Sequence, residues 1–314
     1  MCPGTLAMIK IGKITVAGPL MLAPIAGFTD PPFRRIARRH GAGLVMTELI
    51  SAEGIVRANR KTMDMLAFHD EERPLAIQIF GNSPAVISEA AAAVEELRPD
   101  MININMGCPV RRVCGSGSGA ALLLDPKNIF DITAGMVKRV RIPVSAKIRI
   151  GWDHRSLNYI DTVKALQDGG VSLIIVHGRT RDQQYGGRAD WDVIRKIAEF
   201  SSVPIVGNGD IRTHAGALER MGFSGCPAVM IGRGAVGNPW IFSGRKPSVQ
   251  EIIDEIKKHL DLMIAYYGLR GIVLMRKHLV RYIHEFRGAR EIRKRLVGSN
   301  SREEICEILD SIAR

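Results

Sequence analysis

Eight short apolar runs recur along the chain with amphipathic stretches between them, and this alternation restricts the fold more than any other feature. The runs span 20–23, 44–47, 75–79, 101–105, 144–149, 173–177, 204–208 and 228–231. Most begin about 24–31 residues after the one before, with one longer interval ahead of Val144, which is the pace of repeated βα units. Helical patterns fill the gaps at 32–40, 84–96, 128–141, 158–168, 191–200 and 213–221. Eight strands alternating with helices predict a (β/α)8 TIM barrel. A doubly wound open sheet competes, but it calls for a Gly-rich dinucleotide turn after its first strand, and Ala23-Pro24-Ile25-Ala26-Gly27 is not one.

At 314 residues the chain has room for one large domain and a small appendage. The texture changes after Pro239-Trp240-Ile241-Phe242, where Ser243-Gly244-Arg245-Lys246-Pro247 reads as a linker. Ser248 with Glu251, and Ser301 with Glu304, match the S-x-x-E capping box and mark helix starts. With no convincing strand beyond 248, the expected division is a barrel over 1–243 and a helical domain over 244–314. Between Arg270 and Arg295 lie nine Lys/Arg against Glu285 and Glu291, with Tyr282 and Phe286 interleaved. Together with a formal net charge of +12, this basic appendage is suited to clamp a phosphate backbone.

No run approaches the ~18 consecutive apolar residues of a membrane span. The start, Met1-Cys2-Pro3-Gly4, lacks the basic-then-apolar order of a secretory signal. Five scattered cysteines (Cys2, Cys108, Cys114, Cys226, Cys306) without CxxC spacing argue against a disulfide framework and a zinc ribbon. Dispersed histidines and the lack of HExxH argue against metal catalysis. The expectation is a cytoplasmic protein with neither membrane nor metal partner; oligomeric state stays open, with a monomer preferred.

If the barrel is right, chemistry belongs at the carboxyl ends of the strands. Ile102 to Asn105 alternates apolar and polar residues, the period of a half-buried strand, and runs into Gly107-Cys108-Pro109. A thiol on a tight loop at that edge is a candidate reactive group; the alternative is a buried structural cysteine. Polar groups also end the other runs: Gln78, Asn105, Lys147 and Arg149, His177 and Arg179, Asn208-Gly209-Asp210, and Gly232-Arg233-Gly234. The last two groups follow strands seven and eight, where barrels of this kind bind phosphate. Lys147 inside a strand needs a functional reason or a buried carboxylate partner.

Taken together, Met21-Leu22-Ala23-Pro24-Ile25-Ala26-Gly27-Phe28-Thr29-Asp30, Ile77-Gln78-Ile79-Phe80-Gly81, Asn105-Met106-Gly107-Cys108-Pro109, Lys147-Ile148-Arg149, His177-Gly178-Arg179-Thr180, Asn208-Gly209-Asp210 and Ile231-Gly232-Arg233 resemble the bacterial tRNA-dihydrouridine synthase family. They fall in the family's order. Arg276-Lys277-His278 resembles its RNA-binding appendage less sharply. The resemblance implies an FMN enzyme that uses NADPH to reduce the 5,6 double bond of particular uridines in tRNA. Pro24, Ile25 and Ala26 would line the flavin, Gln78 and Lys147 would contact its ring, and His177 would sit beside it. Asn208, Gly209, Asp210, Gly232 and Arg233 would hold the ribityl phosphate end. Cys108 would give the proton to C5 of the uracil while reduced flavin delivers hydride to C6. Asn105 and Arg179 would contact the flipped base or its backbone.

The residues fit this chemistry independently. A thiol of ordinary pKa, about 8.5, is largely protonated at neutral pH and can act as a general acid. A uridine in folded RNA must leave its stack to be reduced, and a cationic surface holds the polyanion meanwhile. One stretch departs from the family pattern: Val110-Arg111-Arg112-Val113-Cys114-Gly115-Ser116-Gly117-Ser118-Gly119 is richer in Gly and Ser, which predicts a more mobile loop. Cys114 there is read as a bystander thiol able to form an inactivating disulfide with Cys108. Competing readings are an FMN barrel acting on a free pyrimidine, of the dihydroorotate type, a catalytically inactive RNA-binding barrel, and a phosphate-binding lyase or isomerase.

Overall fold

Aliphatic runs of four to six residues make parallel strands when helices can cover one face and the sheet can close upon the other. A computed structural model describes residues 8–284 and 286–312; Cys2 and Glu285 lie outside the described residues. The strands are β1 (Met8–Ile11), β2 (Ile14–Ala17), β3 (Leu20–Leu22), β4 (Val45–Met46), β5 (Ile50–Ser51), β6 (Leu75–Phe80), β7 (Met101–Met106), β8 (Val144–Arg149), β9 (Leu173–His177), β10 (Ile205–Asn208) and β11 (Ala228–Ile231). Their order is β3-β11-β10-β9-β8-β7-β6-β4, with every pairing parallel. Two backbone hydrogen bonds join the end strands, from Gly43 N to Leu20 O at 2.7 Å and from Leu22 N to Leu44 O at 2.9 Å. The expected TIM barrel is borne out.

Helices Pro31–Arg39, Pro84–Glu95, Pro126–Arg139, Tyr159–Asp168, Trp191–Phe200 and His214–Ser224 fill the crossovers, close to the expected spans. The second expected strand, 44–47, is interrupted. Val45 pairs with Leu75 low on β6, and Ile50 in β5 pairs with Ile79 near its top.

Periodicity misses the antiparallel hairpin of β1 and β2, as it does β5 and the short helices Ala52–Val56 and Arg60–Asp64. Each strand of the hairpin buries only alternate residues, too short a signal to read without its partner. Ile9, Ile11 and Val16 from the hairpin pack against Met21, Leu44, Met101 and Leu173 inside the barrel. One end of the barrel is therefore a dry plug.

The other end is polar. In β7 the side chains of Ile102 and Ile104 pack outward under the helices, while Asn103 and Asn105 are also buried, at 0% and 7% exposure. The alternation that suggests a half-buried strand thus belongs to a strand buried on both faces. Helices cover its outer face, and its polar face turns into the barrel.

Helices Val249–Tyr267, Arg270–Tyr282, Ala289–Gly298 and Arg302–Asp310 enclose a separate core built on Ile256, Leu260, Met275, Leu279, Leu296 and Leu309. No strand occurs among the described residues beyond 248. Trp240 packs in this helical core, whereas Ile241 and Phe242 pack in the barrel's outer core. The hand-over from one core to the other therefore falls within three consecutive residues.

Ser248 and Glu251 form the expected capping box, with Ser248 Oγ accepting from Glu251 N at 3.2 Å and the Glu251 carboxylate accepting from Ser248 N at 2.8 Å. Ser248→Ala is expected to lower stability by about 1 kcal/mol, read as a lower urea midpoint at unchanged slope. The second box differs: Ser301 caps Glu304 N at 3.1 Å, but the Glu304 carboxylate accepts from Asn300 N instead, at 2.9 Å. Tyr282 is 2% exposed and belongs to the helical core, so it offers no stacking face to a nucleic acid.

Candidate active site

Cys108 sits just past the end of β7, on a loop fixed from both sides. The Asn105 Oδ1 accepts from Cys108 N at 2.9 Å and from Gly107 N at 3.3 Å. Asn105 Nδ2 donates to Gln78 Oε1 at 2.9 Å, Gln78 Nε2 donates to Asn103 Oδ1 at 2.7 Å, and Asn103 Nδ2 donates to Ser145 Oγ at 2.8 Å. This chain of carboxamides runs across β6, β7 and β8 and fixes the orientation of each member. From the other side Arg149 Nε donates to Gly107 O at 2.8 Å and its Nη1 to Thr180 O at 2.7 Å. Gly107 passes tightly against β8: a Cβ there would stand 3.2–3.3 Å from backbone atoms of Ile148 and Lys147.

The loop that follows, expected to be loose, is folded. It holds a short helix, Arg111–Cys114, and Cys108 O accepts from Ala120 N at 3.1 Å and from the Cys114 thiol at 3.2 Å. Cys114 is thus a bracing group, and both thiols are free. Burial pushes the Cys108 thiol above its ordinary pKa, against the opposing pull of the Val110 amide, Arg149 and Lys147. The sulfur stays protonated at neutral pH.

Lys147 reaches across the mouth to Asn208, with Nζ 3.1 Å from Oδ1, and Asn208 Nδ2 donates to Met230 O at 2.7 Å. No carboxylate pairs with Lys147 among the described residues, which removes the ion-pair alternative. Burial, and after it the charge of Arg149, brings the Lys147 ammonium down to about 7. His177 is held well below its ordinary pKa by burial and by the cations Lys147, Arg149, Arg179 and Arg233. Its Nε2 lies 3.4 Å from Arg179 Nη1. A guanidinium only donates, so Nε2 is the acceptor and the ring carries its proton on Nδ1.

Arg179 is committed to the protein. It donates to Gly186 O at 2.8 Å, to Gly187 O at 2.7 Å and to Asp210 Oδ2 at 2.8 Å. Burial alone would raise the Asp210 carboxyl, but the bonds from Arg179 and the Ala189 amide and the two guanidinium charges leave it below its ordinary value. Asp210 Oδ1 lies 3.6 Å from Arg233, whose side chain is 58% exposed and stands over the Tyr185 ring at 5.1 Å. Gly209 has φ of +136°, and a Cβ there would meet Ala189 Cβ at 2.5 Å, so no other residue fits without displacement. At Gly232 a Cβ would meet Ala23 and Ile25 side chains at ordinary contact distances, 3.7 and 3.8 Å, which places Gly232 against the loop after β3. Pro24, Ile25 and Ala26 form the adjoining rim, partly or fully exposed.

The structure therefore gathers every expected residue at one barrel mouth. It also shows what sequence reading passed over: Asn103 and Ser145 complete the carboxamide chain, and Arg149, expected only as a polar strand end, braces the loop. The i, i+2 spacing of Asn103 and Asn105, and of Ser145, Lys147 and Arg149, carried that signal.

Lys147 and Arg149 from β8, Arg179 after β9 and Arg233 after β11 converge on His177, and Arg179 and Arg233 share Asp210 after β10. Fold and site together define a TIM-barrel enzyme with a cationic mouth. Two solved structures share the fold. Histamine dehydrogenase from Rhizobium sp. 4-9 matches with a TM-score of 0.58 at 12% identity over 82% of this chain and 51% of that one. 2-Naphthoyl-CoA reductase matches with a TM-score of 0.60 at 12% identity over 76% and 51%. This chain spans about half the length of each.

Residues 21–314 match the dihydrouridine synthase (Dus) family, and the chain belongs to it. A probable tRNA-dihydrouridine synthase of Rickettsia prowazekii (strain Madrid E) is 39% identical over 299 residues, covering 91% of each chain. The tRNA-dihydrouridine synthase B of Pseudomonas aeruginosa is 37% identical over 303 residues, covering 92% of this chain and 90% of that one.

Proposed function

We propose that the chain is a tRNA-dihydrouridine synthase that binds FMN, takes reducing equivalents from NADPH and saturates the 5,6 double bond of uridines in tRNA. The observation that carries this reading is the Cys108 thiol, held on a braced loop at the end of β7, beside the Lys147 ammonium of the adjoining strand, which has no carboxylate partner among the described residues. The mouth fits the cofactor. Lys147 is the cation a ring system gaining negative charge needs, and Gln78 joins it there. His177, neutral, lies beside the ring, with Pro24, Ile25 and Ala26 along the rim. Asn208, Gly209, Asp210, Gly232 and Arg233 take the phosphate end: backbone without a side chain at Gly209 and Gly232, a guanidinium fork at Arg233, and Asp210 orienting that fork.

Bound FMN, once reduced, supplies the hydride for C6 of the uracil. Cys108 gives its thiol proton to C5, and Arg149 and Lys147 favour the thiolate left behind. Asn105 holds the Cys108 loop, and Arg179 holds the 186–187 loop and Asp210, so we assign both positioning roles ahead of direct contact with the base. The free-pyrimidine alternative leaves the basic C-terminal helices without a purpose.

Residues 244–314 form the tRNA-binding part in this reading and 1–243 the catalytic part. Among the described residues no helix is long and apolar enough to cross a membrane, and the substrate assigns the protein to the cytoplasm. Arg270, Arg281, Arg287, Arg290, Lys294 and Arg295 are exposed, whereas Arg276 is tied to Ser299 O and Asn300, and Arg293 to Ile283 O. Replacing Arg287, Arg290 and Arg295 together by Ala should weaken tRNA binding and flatten its salt dependence. Each phosphate left without its cation takes about 0.7–0.9 off the slope of log K against log salt. An unchanged slope would leave this face outside the interface.

The cofactor assignment is tested on purified protein. It should be yellow and release FMN on denaturation; a protein that never takes up FMN would overturn the reading.

A further inference from the structure

Asp30, His259 and His278 are far apart in the sequence and converge where the barrel meets the C-terminal helices. Asp30 is the N-cap of helix Pro31–Arg39, His259 lies in Val249–Tyr267, and His278 lies in Arg270–Tyr282. Their exposures are 3%, 0% and 0%. One ligand atom from each lies within 4.8 Å of the others. His259 Nε2 and both nitrogens of His278 have no hydrogen-bond partner among the described residues. An imidazole always carries at least one N–H, and burying a polar group unsatisfied costs about 1–3 kcal/mol. Three such atoms beside a buried carboxylate call for something that engages them all.

We propose that these three side chains bind a divalent transition-metal ion of the zinc class, clipping the C-terminal helices to the barrel. Two imidazoles and one carboxylate are a zinc donor set, with a water in the fourth position. Donor atoms about 2.1 Å from one ion stand about 3.3–3.5 Å apart, so side-chain rotations of about an ångström complete the coordination.

The surrounding bonds already orient two of the ligands, as outer-shell partners do at metal sites. Tyr282 Oη lies 3.2 Å from His259 Nδ1, so a proton on Nδ1 leaves Nε2 as a lone pair. Asp30 accepts from Phe33 N at 3.2 Å and from Tyr267 Oη at 3.4 Å. Burial disfavours charge on all three groups, raising Asp30 to about 6 and holding His259 near 3 and His278 well below its ordinary value. Lys277, placed over the Phe28 ring at 5.6 Å, and Arg34 are the cations that oppose binding, and the Glu48 carboxylate acts against them. The site lies outside the barrel mouth, and the inference is independent of the reaction proposed for it.

The test uses the full chain, stripped with EDTA, dialysed against zinc chloride, desalted and assayed by plasma mass spectrometry. About one zinc per chain is expected in the wild type and in the Cys108→Ala/Cys114→Ala variant, against less than about a tenth in Asp30→Asn and His278→Gln. EDTA should lower the wild-type Tm and zinc should restore it, with no response in those two variants. If either variant fails to fold, cobalt(II) titration of the wild type takes its place, and tetrahedral visible bands of nitrogen–oxygen type are expected. Less than about a tenth of a zinc in the wild type, zinc retained by both folded ligand variants, or zinc lost with the thiols would each overturn the proposal.

Discussion

Cys108→Ala is expected to keep its flavin and to form dihydrouridine about 10²–10⁴-fold more slowly than the wild type, the range over which a positioned general acid contributes. The loop should survive the substitution, because Asn105, Arg149 and Ala120 hold its backbone and not its sulfur. A single-turnover measurement with tRNA isolates the step. The pH profile carries a second signature. Burial raises the Cys108 thiol, so the active, protonated form persists through neutral pH and is lost only as pH rises through the elevated value. Activity limited by Cys108 should therefore be level near neutrality and fall on the alkaline side. A rate that climbs through that range would make the group a base and remove it from the role assigned here.

Lys147→Met is expected to weaken FMN binding about 10–100-fold, the worth of one charge-assisted hydrogen bond in a partly enclosed site. Titration by flavin fluorescence measures it directly. The wild type should also show a proton linkage. The ammonium of the free protein titrates at about 7, depressed first by burial and then by Arg149. The oxidised ring is neutral, but its carbonyl edge takes a stronger hydrogen bond from the ammonium than from the amine, so affinity should be level below about 7 and fall above it, by at most about tenfold per pH unit. The Met variant should lose that fall. Wild-type affinity independent of pH from 6 to about 9 would mean that Lys147 does not face the ring.

The barrel is legible in the sequence because each strand is a compact aliphatic run and each crossover an amphipathic helix, so two periods repeat in alternation. The β1–β2 hairpin is not, because Ile9, Ile11 and Val16 become a core only when the barrel supplies the other wall. The candidate site is legible as a set of strand ends, since topology alone sends them to one mouth. Its wiring is not. Period-two spacing places Asn103 and Asn105 on one face but says nothing of whether that face is wet, and here it is the inside of the barrel. Tyr282 shows the same limit in a helix: its neighbours are basic, yet its own face packs inward. Asp30, His259 and His278 meet only because helices Val249–Tyr267 and Arg270–Tyr282 pack where the loop after β3 enters Pro31–Arg39, a juxtaposition that no local pattern encodes.

One assay decides the proposed reaction: unmodified tRNA and NADPH are supplied to the purified holoenzyme, and the product is mapped by mass spectrometry. A gain of two hydrogens at defined uridines is expected, matched one for one by NADPH consumed, and lost in Cys108→Ala. Unaltered tRNA beside rapid turnover of a free pyrimidine would contradict it.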